Sequence, residues 1–126
     1  MAEIDLSSEL RALRSTLGDI KEVIDIPKLI ADIRVLEEQA AEPGLWDNQE
    51  VAQKITSALS HKQALVRRVE EAANRIDDLE VLVEMANAES DAASQNEAKT
   101  ELADIQKSIG DLEVQTLLNG EFDERG

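Results

Sequence analysis

Cysteine and tyrosine are absent from the 126 residues, and the aromatic content of 2% comes from Trp46 and Phe122 alone. Without cysteine the chain can form neither disulfides nor thiolate metal sites. With so few aromatics, nucleic-acid bases would find almost nothing to stack on. A strand-rich fold would also lack residue types on which strands draw heavily. The longest uncharged apolar run is a few residues, far short of the ~20 needed to cross a bilayer. The opening Met-Ala-Glu-Ile-Asp has neither a basic n-region nor an apolar h-region, so no secretory signal is expected. Together with the missing cysteine, this points to the cytoplasm.

Charged residues make up 33% of the chain and apolar residues 42%, with a formal net charge of -15. That balance suits one globular domain, neither disordered nor membrane-spanning. Such an excess of negative charge repels phosphates, so independent nucleic-acid binding is not expected.

Ala, Leu, Glu, Gln and Lys dominate, which favours helix. Leu6, Leu10, Leu13, Leu17, Ile20 and Ile24 step by fours and threes, holding one helix face over residues 4–23. Gly18 weakens that helix locally. Asp25-Ile26-Pro27 ends it, since proline disfavours helical geometry in the preceding residue, and the same proline can open the next helix. Leu29, Ile33, Leu36 and Ala40 line a second helix, which ends before the turn signal Pro43-Gly44.

Asp47-Asn48-Gln49-Glu50 reads as a capping box. It opens a long helix that carries Val51, Ile55, Leu59, Leu65, Val69, Ala72 and Ile76 inward. A second box, Asp77-Asp78-Leu79-Glu80, predicts a bend or break followed by a shorter helix with Leu79, Leu82, Val83 and Ala86. Residues 88–96 are small and polar and predict a flexible connection. Ser94-Gln95-Asn96-Glu97 is a third box, leading into Leu102, Ile105, Ile109, Leu112 and Thr116. Asn119-Gly120 suits a left-handed helix cap. The expected fold is all-α, a mostly antiparallel helical bundle with one long central helix. Its domain covers residues 1–120, and a frayed tail, 121–126, leads toward a missing further domain.

No constellation for catalysis stands out, and the chain reads as non-enzymatic, without cofactor, metal or small-molecule substrate. His61, the only histidine, has Ala58 and Leu65 as helical neighbours, so no Glu-x-x-His metal pair exists. Neither a glycine-rich phosphate loop nor a nucleophile–base pairing is present.

The informative pattern is a stripe of Lys54, His61, Arg68 and Arg75, spaced seven residues apart and flanked by Lys62 and Arg67. Residues 54–75 carry five Lys or Arg against Glu70 and Glu71, whereas residues 77–126 carry fourteen acids against Lys99, Lys107 and Arg125. The stripe either faces the acidic last helix, as flanking positions of helical bundles do, or meets an external acidic or phosphate-bearing surface. The intramolecular reading is the more ordinary one. Trp46, beside a capping box, is expected to plug the bundle end, because its indole can bury a large apolar area.

Two stretches carry a likeness. Leu17-Gly18-Asp19-Ile20 with Val23-Ile24-Asp25-Ile26-Pro27-Lys28-Leu29, followed by Pro43-Gly44-Leu45-Trp46-Asp47-Asn48-Gln49-Glu50 and Ala52-Gln53-Lys54, resembles the opening of the bacterial peptide chain release factor 2 family. Leu117-Leu118-Asn119-Gly120-Glu121-Phe122-Asp123-Glu124-Arg125 resembles the segment leading out of that family's first domain. Asp77-Asp78-Leu79 and Glu84-Met85-Ala86 fit between them, and Gly44-Leu45-Trp46-Asp47-Asn48 favours the second factor over its sister, factor 1.

The resemblance implies the amino-terminal helical domain of a factor that terminates translation at UGA and UAA. It also implies two partners: the ribosome, at the base of its stalk, and the GTPase release factor 3. The family reads the codon with a Ser-Pro-Phe tripeptide and hydrolyses peptidyl-tRNA through Gly-Gly-Gln. Neither motif occurs in this sequence, so no functional residue of that kind transfers. The alternative is a stand-alone helical-bundle adaptor or coiled-coil oligomer. A monomer is expected on the first reading.

Overall fold

A computed structural model describes the backbone of residues 6–125 and the side chains of residues 6–118. The described chain forms four α-helices and no strand: α1 (Leu6–Ile24), α2 (Ile26–Ala40), α3 (Gln49–Glu89) and α4 (Ala92–Arg125). The expected all-α bundle is therefore present, and Ile4, the expected start of the first helix, lies outside the described residues.

At 41 residues, α3 extends about 60 Å and packs against each of the other three helices. Cross-helix pairs set the directions. Arg14 of α1 meets Asp77 and Glu80 of α3, each at 3.0 Å, and Gln106 of α4 donates to Glu9 of α1 at 2.9 Å. Arg75 meets Ser108 and Arg68 meets Gln115, so α4 runs antiparallel to α3. Helix α2 lies along the earlier half of α3, where Lys62 reaches Asp32 at 3.6 Å.

The core is a three-helix seam. From α1 come Leu6, Leu10, Leu13, Leu17 and Ile20, and from α3 come Val69, Ala72, Ile76, Leu79 and Val83. Helix α4 completes it with Ala98, Leu102, Ile105, Ile109 and Leu112. All recur at spacings of three and four, so each helix keeps one stripe inward over several turns. Thr116 continues the α4 stripe and is buried; its hydroxyl donates to the Leu112 carbonyl at 2.8 Å, leaving no unmet polar group.

The break between α1 and α2 falls where proline puts it. Asp25 takes a left-handed conformation (φ 60°), and its Oδ1 accepts from the Lys28 N–H at 3.3 Å. Pro27 occupies the first turn of α2, where its missing N–H leaves no helical bond unmade.

Several expectations differ from the structure. Helix α3 neither bends into a new helix nor stops at Asp77: Ile76, Leu79, Val83 and Ala86 remain buried in unbroken register. A capping preference of one or two aspartates does not outweigh a continuous buried stripe that contains no glycine or proline. The cap of α3 is Asn48 rather than Asp47. Residues Leu45–Asp47 wind into a 3-10 turn, so the first extended residue is Asn48, whose Oδ1 accepts from the Val51 N–H at 3.2 Å. That shift leaves Val51 43% exposed and buries Ala52 instead.

The flexible connection over residues 88–96 contracts to Ser90 and Asp91. Ser90 takes φ 52°, and Asp91 accepts from the Ala93 N–H (3.1 Å) and the Ser94 hydroxyl (2.9 Å). Alanine-rich flanks favour helix, and the third predicted box is bypassed. Next, α4 runs through Asn119 and Gly120 to Arg125, because a helical glycine costs only about 1 kcal/mol relative to alanine and residues 121–125 include no proline. Finally, Trp46 does not plug the bundle: it is 58% exposed, while its neighbour Leu45 is buried in the turn against α3.

Candidate partner surface

Helix α3 presents the basic stripe along two different environments. Its later half touches α4. Arg75 Nη1 donates to Ser108 Oγ at 3.2 Å, its Nη2 lies 3.7 Å from Glu101 Oε2, and Arg68 Nη1 donates to Gln115 Oε1. Both arginines are half-buried, so their alkyl stems also cover the seam between α3 and α4. These groups are positioned by the register of α3: steps of seven return to the same side of a helix.

The earlier half differs. Lys54 and His61 are exposed and form no ion pair with any described residue. Lys62 turns to the opposite flank, where it pairs with Asp32 of α2, itself within 3.4 Å of Lys28. The four predicted stripe residues thus share one helix but divide into two pairs. Arg68 and Arg75 are engaged within the fold, whereas Lys54 and His61 face outward.

Of the outward pair, Lys54 belongs to the end of the molecule where α2 turns into α3, and His61 lies about two helical turns further along α3. Trp46 and Val51 are exposed there, with Lys54 one helical turn beyond Val51 and Asp47 and Glu50 interspersed. An exposed tryptophan beside apolar and charged neighbours is the composition of an interaction anchor. Periodicity could not reveal it, because Leu45 and Trp46 are adjacent and either could have turned inward. A second exposed group, Val114, Leu117 and Leu118 on α4, lies off the stripe that includes Leu112 and Thr116. The i, i+3, i+4 spacing of these three residues is the sequence signal for it.

Among the described residues no group of three or more His, Asp or Glu is placed to hold a metal ion. Nor is any described helix long and apolar enough to cross a membrane. The stripe and the exposed turn offer charged and apolar contact.

Residues 29–126 match the family model described as the PCRF domain. Over 99% of its length the chain is 55% identical to a peptide chain release factor 2 of Streptomyces avermitilis, covering 34% of that protein. Identity is again 55% over 99% of the chain with the factor of an Arthrobacter species, also covering 34% of it. With that of Kineococcus radiotolerans identity is 49% over 97% of the chain, covering 33% of that protein. The chain therefore spans about a third of the length of the curated relatives it matches. Through this PCRF domain, the chain belongs to the peptide chain release factor family.

Proposed function

We propose that this chain is the amino-terminal helical domain of a bacterial peptide chain release factor 2 and that it docks the factor on the ribosome. The observation that carries the reading is 55% identity along 99% of the chain to proteins bearing that name. In the whole factor, termination at UGA and UAA is carried out by other domains, with codon reading and the Gly-Gly-Gln step outside these residues. The domain itself acts without catalysis and without a cofactor, as a cytoplasmic monomer.

The contact surface is the α2–α3 turn with Trp46 and Val51, continued by Lys54 and His61. This end offers an indole anchor and the Lys54 ammonium, left unpaired by described residues, suited to the stalk base and to release factor 3. Arg68 and Arg75 act inside the fold, holding α4 against α3.

Stop-programmed ribosomes provide the test. In large excess, the chain should release no polypeptide yet slow release by an intact factor. Excision removes the effective concentration supplied by the other domains, so competition should need a large molar excess. Trp46→Ala and Lys54→Glu should weaken that competition. UGA-dependent release by the chain alone, or no competition at any concentration, would overturn the assignment.

A further inference from the structure

Where α1 ends and α2 begins, the two helices and the middle of α3 enclose an open groove of about 780 Å³. It exists because the left-handed turn at Asp25 redirects the chain while α3 continues unbroken alongside. Ile26, Ile30, Val66, Val69 and Ala73 supply its apolar surface. Ile30 is 45% exposed, and Val66 and Ala73 are half-buried.

Among the described residues that line it, Glu22, Asp25 and Glu70 stand against the single cation Lys21. None of these four side chains forms an ion pair with a described residue. The wall contributed by α3 runs from Val66 to Asn74, about two helical turns or roughly 12 Å. That length matches the apolar stripe of a short helix laid into a groove.

We propose that this groove docks a basic amphipathic helix of a partner protein. Its apolar face enters between α1, α2 and α3, and its Lys or Arg side chains meet Glu22, Asp25 and Glu70. Charge complementarity selects this occupant. A second copy of the chain would bring a net charge of -15 against an acidic rim. The groove is distinct from the α2–α3 turn, and its occupancy is read on the chain alone, without ribosomes.

The probe is a labelled synthetic helix of Leu, Ala and Lys with leucine at every third or fourth position, followed by fluorescence anisotropy. A shuffled peptide of the same composition, without an apolar face, is the control. The amphipathic peptide should bind at least about tenfold more tightly than the shuffled one. Ile30→Ser, and the double reversal Glu22→Lys with Glu70→Lys, should each weaken binding roughly tenfold. Reversing two exposed acids elsewhere, Glu84→Lys with Asp104→Lys, changes net charge equally and should leave most of the affinity.

Circular dichroism checks that each variant is folded. Methyl resonances of Ile30, Val66 and Ala73 in the unaltered chain should shift on titration, independently of any variant. Equal binding of the shuffled peptide, or equal loss from the distant reversals, would reduce the effect to diffuse attraction and overturn the proposal. So would unshifted methyl resonances, or self-association of the chain abolished by Ile30→Ser. Binding by the isolated chain but not by a whole factor carrying it would assign the groove to another part of the factor, and would overturn the proposal as well.

Discussion

Replacing Asp78 with proline distinguishes a continuous α3 from two helices that meet at Asp77. If Asp77 were a cap, position 78 would be the first residue of a new helix, where proline is well tolerated. In a continuous helix, position 78 instead donates its N–H to the carbonyl four residues back, and a proline ring clashes with that carbonyl. Asp78 is exposed and forms no ion pair with any described residue, so little side-chain energy is at stake. The backbone term dominates, at about 3 kcal/mol or more. Ile76 and Leu79, buried on either side at 0% and 1% exposure, would be pulled from the seam by a kink, adding to the loss.

Asp78→Ala is the control. It removes the same carboxylate but improves helix propensity by up to about 0.7 kcal/mol, so it should be neutral or slightly stabilising. Urea unfolding followed by far-UV circular dichroism gives both free energies. Asp78→Pro within about 0.5 kcal/mol of Asp78→Ala would refute a continuous helix, since surface changes without a special mechanism fall in that range.

Further consequences concern packing and exposure. Gly110 lies within α4, and a Cβ built there meets nothing within 4 Å, so Gly110→Ala should raise stability by about 1 kcal/mol in the same titration. Ile105→Ala, at a fully buried site, should cost about 2–5 kcal/mol, whereas Ile30→Ala should cost far less. Trp46 fluorescence should already be red-shifted in the folded chain and move little on unfolding, with Trp46→Ala costing less than about 1 kcal/mol. A strongly blue-shifted native spectrum would contradict its exposure. Arg14→Ala removes contacts with Asp77 and Glu80 that remain half open to solvent, and should cost up to about 1 kcal/mol, diminishing with added salt.

Much of this architecture was legible because its core depends on long periodic stripes. Five residues of α1 and five of α4 keep steps of three and four, and the inward face then follows from helix geometry alone. Pro27 marked the α1–α2 junction for an equally local reason. Capping signals are less decisive, because a residue able to cap can be drawn into a long-range contact or yield the role to a neighbour. Asp77 can cap, but here it pairs with Arg14 from a helix more than sixty residues away, a contact no local window contains. Ser94 can cap too, yet Asp91 takes that role and uses the Ser94 hydroxyl as a donor.

The surface was less legible for the same reason. The basic stripe was visible as a spacing, but which of its members meet α4 depends on the register of two antiparallel helices. The acidic groove draws on three elements at once, and its Ile30 lies off the Leu29–Ile33–Leu36 face.

The most direct measurement of the central claim is a domain exchange in a whole factor. This chain would replace the matching segment of a peptide chain release factor 2 such as the Streptomyces avermitilis relative, with release then measured on ribosomes programmed with UGA. Retention of UGA-dependent release, weakened by Trp46→Ala through a higher concentration requirement rather than a slower maximal rate, is the result the account predicts. A folded chimera that binds the ribosome no better than a factor lacking the segment altogether would contradict it.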